Sequence, residues 1–215
     1  PQVSYKEKIN IPVDHREVYK KQSGGRGKFA DIVVKISPQT DDEKTGLEFI
    51  NNIKGGNIPR EFIPSVEKGF KESMKNGVLA GFPIDSLKIE LNDGSYHDVD
   101  SDALSFEVCA KMAYRNGLKN AKPELLEPIM KVEIETPEDY MGDVIGDLSS
   151  KRAQVHGTDH HGNSVIINSL VPLSEMSGYV TTLRSMTQGR GSVYLEPSHY
   201  EEVPQNIADK IVAKS

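Results

Sequence analysis

A glycine-rich and positively charged segment, residues 20–28, offers the clearest potential for chemistry in this sequence. Glycine lets a backbone approach a ligand closely, and neighbouring Lys and Arg side chains can neutralise phosphate groups. Gln and Ser side chains add hydrogen-bond donors and acceptors for ribose or base edges. We therefore predict a nucleic-acid contact, with an ordinary solvated loop as the alternative. The predicted residues are Lys20, Lys21, Gln22, Ser23, Gly24, Gly25, Arg26, Gly27 and Lys28.

Two nucleotide-binding motifs fit this segment poorly. Residues 25–30 match a loose G-x-G-x-x-A pattern, but a dinucleotide loop leads into a helix, and here β-branched residues follow at 32–34. A Walker A loop would need glycine where Gln22 stands, and Ser or Thr where Phe29 follows Lys28. We therefore expect neither a nucleotide-binding loop nor a catalytic centre in this chain.

Histidines form the second group of candidates. His97 lies beside Asp98 and Asp100, a combination that could act as an acid–base pair. His160 and His161 are adjacent on a predicted hairpin turn. Zinc requires three or four converging ligands, and no Cys pair or H-x-x-x-H motif lies near these residues. We expect no metal site, and a stand-alone metal-dependent enzyme stays open as an alternative.

Alternating apolar residues predict the strands that would position these candidates. Strands at 3–13 and 29–36 can pair as a hairpin that carries the glycine-rich segment at its tip. A third strand is expected at 47–53. A fourth, at 87–91, is followed by a predicted tight turn at 92–94.

Helical periodicity completes the predicted architecture. One helix is expected at about 62–75, and another begins at Ser101 as its N-cap. After a junction at 123–128, the element order β-α-β-β-α-β is typical of a ferredoxin-like split βαβ domain. The sequence thus predicts an α+β protein of two α/β-sandwich domains, 1–122 and 123–215.

The charge of the chain is distributed unevenly. Residues 1–123 hold 19 basic and 18 acidic residues, whereas residues 124–215 hold 7 and 14, and the formal net charge is −6. Charges act mainly within a Debye length of about 8 Å. The basic cluster between Arg16 and Lys28 can therefore contact phosphates although the whole chain is acidic.

The composition also indicates the cellular compartment in which the protein is expected. Cys109 is the one cysteine, so the chain can form no internal disulfide, and we expect it to be a buried core residue. No window approaches about 18 consecutive apolar residues, which argues against a membrane span. Residues 1–10 lack the apolar core of a signal peptide. We expect a cytoplasmic protein.

Taken together, several segments resemble the C-terminal part of bacterial elongation factor G, over essentially the whole chain. No single segment would be specific, but their combination is. They are residues 21–27, 49–51, 54–56, 58–59, 94–101, 125–133, 142–148 and 171–176.

The resemblance implies that residues 1–122 correspond to the fourth domain of that family. The expected fold is an α/β domain with a left-handed β-α-β crossover, similar to the second domain of a ribosomal small-subunit protein. This domain would project into the decoding centre, where its tip loops contact A-site tRNA paired to mRNA. The matching positions are 22–27 on one loop and His97 on the other.

Residues 123–215 would correspond to the fifth domain, which contacts large-subunit RNA near the sarcin–ricin loop and the stalk base. Many relatives carry a basic, Arg-rich run after the Gly-Asp-Leu motif, whereas this chain has Ser149-Ser150-Lys151-Arg152 there. Fewer RNA contacts are therefore expected, from Lys151 and Arg152. The resemblance further implies a monomeric, GTP-hydrolysing parent whose GTP and magnesium belong to a G domain outside this chain.

Two related functions stay open. A ribosomal protection protein shares this architecture but removes a drug from the ribosome. A paralogue could also move tRNA without hydrolysing GTP. The glycine-rich loop and the loop that contains His97 favour translocation.

Overall fold

The computed structural model describes residues 3–22 and 24–215. Its contacts divide the chain into a first unit, residues 6–125 and 203–215, and a second unit, residues 3–5 and 126–202. These units differ from the predicted sequence domains chiefly in that residues 203–215 fall within the first unit. The domain boundaries themselves stay a prediction.

The first unit is a sheet covered by helices. In chain order its elements up to residue 125 are β1 (Lys6–Lys8), β2 (Val13–Lys21), β3 (Lys28–Ser37), β4 (Gly46–Asn51), α1 (Ile63–Ser73), β5 (Ser86–Ser95) and α2 (Ala103–Leu118). The sheet order is β2-β3-β5-β4. β2 and β5 each pair antiparallel with β3, whereas β4 and β5 are parallel and joined through α1. The predicted β-α-β connection is thus present, and its handedness stays a prediction.

The predicted hairpin is confirmed, but its first strand begins later than expected. β2 and β3 pair from Val13 opposite Ile36 to Lys21 opposite Lys28. β1 ends at Lys8, and the backbone N–H groups of the residues at 10 and 11 donate to the carbonyl oxygen of Ala121 instead. The single strand predicted for 3–13 is therefore wrong, because a distant carbonyl takes the donors of its central part.

The tight turn predicted at 92–94 is also wrong. β5 continues to Ser95, with Asp93 opposite Val33 and Gly94 opposite Ile32. A register shift between Val33 and Val34 accommodates the extra residue in β5. The turn signal was local, whereas the neighbouring strand supplies ladder hydrogen bonds that a turn would lose.

The core of the first unit lies between the sheet and two closely packed helices. Phe70 of α1 and Phe106 of α2 are fully buried. A Cβ on Gly69 would lie 2.6 Å from the carbonyl oxygen of Glu107, so the helices cross at backbone distance. Cys109 is buried here as expected, and burial raises the pKa of its thiol to about 12. The thiol therefore stays protonated near neutral pH.

The second unit has the element order that the sequence predicts. Its elements are β6 (Glu124–Pro137), α3 (Met141–Ser149), β7 (Gln154–His161), β8 (Ser164–Pro172), α4 (Tyr179–Met186) and β9 (Ser192–Glu202). Within this unit, the strands β9, β6, β8 and β7 lie side by side in that order as antiparallel pairs, which is the order of a ferredoxin-like split βαβ domain. The predicted α+β fold class is confirmed.

The last helix and the histidine pair complete the description. α5 (Gln205–Ala213) follows β9 and belongs to the first unit. His160 and His161 end β7 rather than forming a turn, which is confined to Gly162, with φ +61°, and the residue after it. No helix built from the described residues is long and apolar enough to cross a membrane.

Candidate nucleic-acid interface

Two polar loops meet at one end of the first-unit sheet. The first, residues 22–27, joins β2 to β3, and the second, residues 96–101, follows β5. Arg26 Nε donates to the carbonyl oxygen of Val99 at 2.8 Å, and the backbone N–H of Phe29 donates to that of Asp100 at 3.0 Å. We call these two loops the tip. The predicted glycine segment and the predicted His97 loop are thus brought together.

Ser101 fastens the second loop to β3. Its hydroxyl donates to the carbonyl oxygen of Phe29 at 2.7 Å and accepts from the backbone N–H of His97 at 2.9 Å. The predicted role of Ser101 as N-cap is wrong, because this hydroxyl is already engaged within the tip. The N-cap of α2 is Asp102, whose carboxylate accepts from the backbone N–H of Ser105 at 2.7 Å.

Gly27 lies where the two loops pass each other, and little room is left there for a side chain. A Cβ on Gly27 would lie 3.0 Å from the carbonyl oxygen of Lys21 and 3.1 Å from Asp100 Oδ2. By contrast, a Cβ on Gly24 would meet no atom within 4 Å. Gln22, Gly24 and Gly25 are exposed, and Ser23 lies outside the described residues.

The local contacts of His97 determine which ring nitrogen faces outward. The backbone N–H groups of Val99 and Asp100 both approach Nδ1 at 3.3 Å, so Nδ1 acts as the acceptor. A neutral ring therefore carries its proton on Nε2. The side chain is 58% exposed, and Asp100 Oδ2 lies 3.8 Å from Nδ1. His97 thus presents a fixed N–H donor to a ligand.

The five basic residues of the predicted cluster differ in what they can still bind. Arg16 donates twice, at 3.0 Å, to the buried carboxylate of Asp31, and Lys28 pairs with Asp102. Among the described residues, Arg26 donates from its Nε to Val99. Lys20 and Lys21 are exposed, and neither side chain has an ion pair with a described residue. The available charge is therefore concentrated on Lys20, Lys21 and the outer edge of Arg26.

Asp102 holds the beginning of α2 against the tip. Its carboxylate accepts from the backbone N–H and the hydroxyl of Ser105, and from Lys28 Nζ at 2.9 Å. Burial alone would raise the pKa of Asp102, but the hydrogen bonds from Ser105 and Lys28 outweigh this and lower the pKa to about 2. The folded tip therefore favours the ionised form of this carboxyl group.

This arrangement predicts a pH-dependent loss of stability in Asp102→Asn, which keeps a capping side chain but loses the charge. We expect the free energy of unfolding to fall by about 1 kcal/mol above about pH 5, allowing for solvent screening of a partly exposed pair. A carboxyl group whose pKa is lower in the folded than in the unfolded chain stabilises the fold at pH values above its unfolded pKa. The difference should therefore disappear as the pH falls from about 4 to about 2. Urea unfolding across this range tests it, and a pH-independent difference would contradict it.

A third loop at the same end of the sheet was missed by the sequence reasoning. Residues 52–57 follow β4, and Asn57 Nδ2 donates to Asp93 Oδ1 of β5 at 3.0 Å. Gly55 has a φ of +65°, and Lys54 is exposed. The signal was present, since two consecutive glycines after a strand mark a loop where backbone can approach a ligand.

The two basic residues predicted in the second unit have different surroundings. Arg152 forms a bidentate pair with the buried carboxylate of Glu127, at 2.7 and 3.0 Å, and its Nε donates to Glu175 at 3.2 Å. Lys151 lies 5.8 Å from the ring centroid of Tyr179 and is partly exposed. The charge of Arg152 is thus engaged by two carboxylates of the same unit. The ammonium group of Lys151 has a weaker contact and is more available to a ligand.

No group of three or more His, Cys, Asp or Glu side chains that could hold a metal occurs within 3–22 and 24–215. His160 Nδ1 has Glu138 Oε1 at 3.8 Å as an acidic neighbour. The glycine-rich loop runs from one strand into another, not into a helix N-terminus. This backbone arrangement does not fit the phosphate cradle of a nucleotide site.

Comparisons with known proteins agree on one family. The family model described as elongation factor G, domain IV, matches residues 1–122, and that described as elongation factor G C-terminus matches residues 124–211. Proteins named elongation factor G from Cytophaga hutchinsonii and Amoebophilus asiaticus are 58% and 51% identical over 214 residues. The alignments cover 100% of this chain but 30% of each relative. A crystal structure of a Thermus thermophilus protein matches the whole chain with a TM-score of 0.83 and 37% identity, over 32% of its own length.

Proposed function

Because the chain belongs to the elongation factor G family, we propose that it is the ribosome-engaging part of a factor that promotes tRNA–mRNA translocation. In this proposal the tip contacts A-site tRNA in the small-subunit decoding centre. The observation that carries the proposal is the convergence of the two loops, in which residues 22, 24–26 and 96–99 are exposed.

The proposed contact is steric and electrostatic rather than covalent. Lys20, Lys21 and the outer edge of Arg26 neutralise phosphates. The Nε2–H group of His97 donates to a backbone or base acceptor, and its exposed ring can stack on a base or sugar. Lys54 of the third loop adds a cation at the same end of the sheet. These donors suit the acceptor-rich backbone and base edges of RNA.

The tip can hold bound tRNA rigidly because buried polar contacts fix the strands behind it. Asp31 is 5% exposed at its side chain, and its carboxylate accepts from Arg16 of β2 and from the Ser95 hydroxyl of β5 at 2.6 Å. This carboxylate of β3 therefore joins three adjacent strands just behind both loops. A rigid support transmits a domain movement to bound tRNA instead of absorbing it.

The remaining parts of the proposal concern the second unit and the parent protein. We propose that the second unit contacts large-subunit RNA near the sarcin–ricin loop and the stalk base, with Lys151 rather than the internally paired Arg152 contributing charge. GTP and magnesium would be bound by the G domain of the parent. The factor would act as a monomer in the cytoplasm.

Removal of the two available lysines tests the proposed RNA contact. We expect Lys20→Gln/Lys21→Gln in the full-length factor to weaken binding to pretranslocation ribosomes. The slope of log affinity against log salt should fall by about 1.4, since each phosphate contact adds about 0.7 on single-stranded RNA. Affinity is measured from about 50 to about 200 mM salt.

The matched control is Lys210→Gln/Lys214→Gln, which removes the same charge from exposed positions on and just after α5. This control should keep the wild-type slope. If both double variants change the slope equally, the effect reflects net charge and the tip is not the contact.

A further inference from the structure

A cavity of about 490 Å³ opens in the first unit between the C-terminal ends of α1 and α2. Lys111, Arg115 and Lys119 line it from α2, and Ser73 and Asn76 line it from α1 and the residues that follow. No acidic side chain from the described part of the chain lines this cavity. The cavity is separate from the tip, which lies at the other end of α2.

The positive charge of the cavity is only partly compensated. Lys111 pairs with Glu72 at 3.1 Å and with Glu107 at 3.3 Å. Arg115 and Lys119 are exposed, and no ion pair joins either of them to a residue that the structure describes. They stand four residues apart on one helix face, where like charges repel. Helix-dipole stabilisation explains cations at this end of α2, but not their grouping around a recess.

The hydrogen-bonding groups of the cavity favour an acceptor-rich ligand. The Tyr114 hydroxyl donates to the carbonyl oxygen of Asn76 at 2.8 Å, and the Ser73 hydroxyl donates to that of Gly69 at 2.8 Å. The ionised groups that remain at the wall are ammonium and guanidinium donors. Phosphate oxygens fit such donors, and guanidinium can bind them in a bidentate manner.

We propose that this cavity binds the phosphate backbone of a second RNA segment of the ribosome. The proposal rests on the proposed function, which places the unit among RNA. Lys111, Arg115 and Lys119 extend over about 12 Å along α2, a length that suits a nucleic-acid strand rather than one free phosphate. The pair between Lys28 and Asp102 fixes the first end of α2 to the tip. The three cations of the cavity therefore lie about 13 to 26 Å along α2 from Asp102, so the second segment is distinct from the RNA that the tip contacts.

The test compares Arg115→Gln/Lys119→Gln with the tip variant Lys20→Gln/Lys21→Gln in the full-length factor. Each variant is titrated against pretranslocation ribosomes from about 50 to about 200 mM salt. We expect the cavity variant to bind about tenfold more weakly, with a salt slope lowered by about 1.4. Hydroxyl-radical footprinting should show the loss of a protected backbone segment different from the one lost with the tip variant.

Two controls distinguish the loss of an RNA contact from a loss of stability: a variant that keeps the charge, and a measurement of the unfolding temperature. Arg115→Lys/Lys119→Arg should restore affinity and slope. A wild-type slope for the cavity variant, with a lowered unfolding temperature, would show that the cations only stabilise the end of α2, and the inference would fall. The proposed function would still stand if the tip variant alone lost affinity. Loss of one common footprint in both variants would also overturn the second-segment proposal.

Discussion

In a full-length factor that carries this chain, His97→Ala is expected to slow tRNA–mRNA movement by about ten- to a hundredfold. Ribosome-stimulated GTP hydrolysis should change by less than about twofold, since the G domain lies outside this chain. The magnitude follows from one hydrogen bond to RNA, worth about 1.5–3 kcal/mol when the acceptor is charged. The two N–H groups that orient Nδ1 preorganise this donor, and alanine has no donor to put in its place.

Two further variants sharpen this prediction. His97→Gln keeps an acceptor for the two backbone N–H groups and a donor that faces outward, so it should recover part of the rate. His199→Ala removes an exposed histidine of the second unit and should leave the rate unchanged. Tracking tRNA movement and phosphate release in the same reaction separates the steps. Equal loss of both activities would point to a folding or docking role for His97.

Deletion of residues 24–27 should have a similar or larger effect on movement. The deletion leaves a two-residue connection between Lys21 and Lys28, a length that a hairpin tolerates. It removes the contact between Arg26 and Val99 and the close approach at Gly27. Movement should slow while the sheet stays folded, which circular dichroism of the shortened chain beside the intact 215-residue chain can establish.

Gly94→Ala is expected to lower the free energy of unfolding by about 3 kcal/mol. A Cβ at this position would overlap the carbonyl oxygen of Asp31 and lie 2.5 Å from Ile58 Cδ1. Because Gly94 pairs with β3 inside the sheet, the overlap can be relieved only by moving backbone. The same movement would displace the Asp31 carboxylate and the loop that carries His97.

Urea unfolding of the first unit, monitored in the 215-residue chain, measures this effect. Gly56→Ala is the matched control, since a Cβ there meets no atom within 4 Å and the position is exposed. The control should stay within about 0.5 kcal/mol of wild type. A Gly94→Ala chain as stable as the control would show that the strands behind the tip are more adaptable than their contacts indicate.

The sequence alone predicted those parts of the structure that depend on the pattern of neighbouring residues. Alternating apolar residues on either side of residues 20–28 predicted the β2–β3 hairpin, because period-two burial and a flexible connection are properties of neighbouring residues. The β-α-β-β-α-β order of the second unit followed in the same way. The combination of short motifs indicated the elongation factor G family, whose models match residues 1–122 and 124–211.

Only the tertiary structure decided which polar groups remain available to a ligand. Lys28 is engaged by Asp102, Arg16 by Asp31, and Arg152 by Glu127. The extension of β5 through 92–94 likewise depends on pairing with β3, which overrides a local turn signal. Such partners are distant in sequence, and the energy of an ion pair or a strand ladder depends on distances that only the folded chain sets.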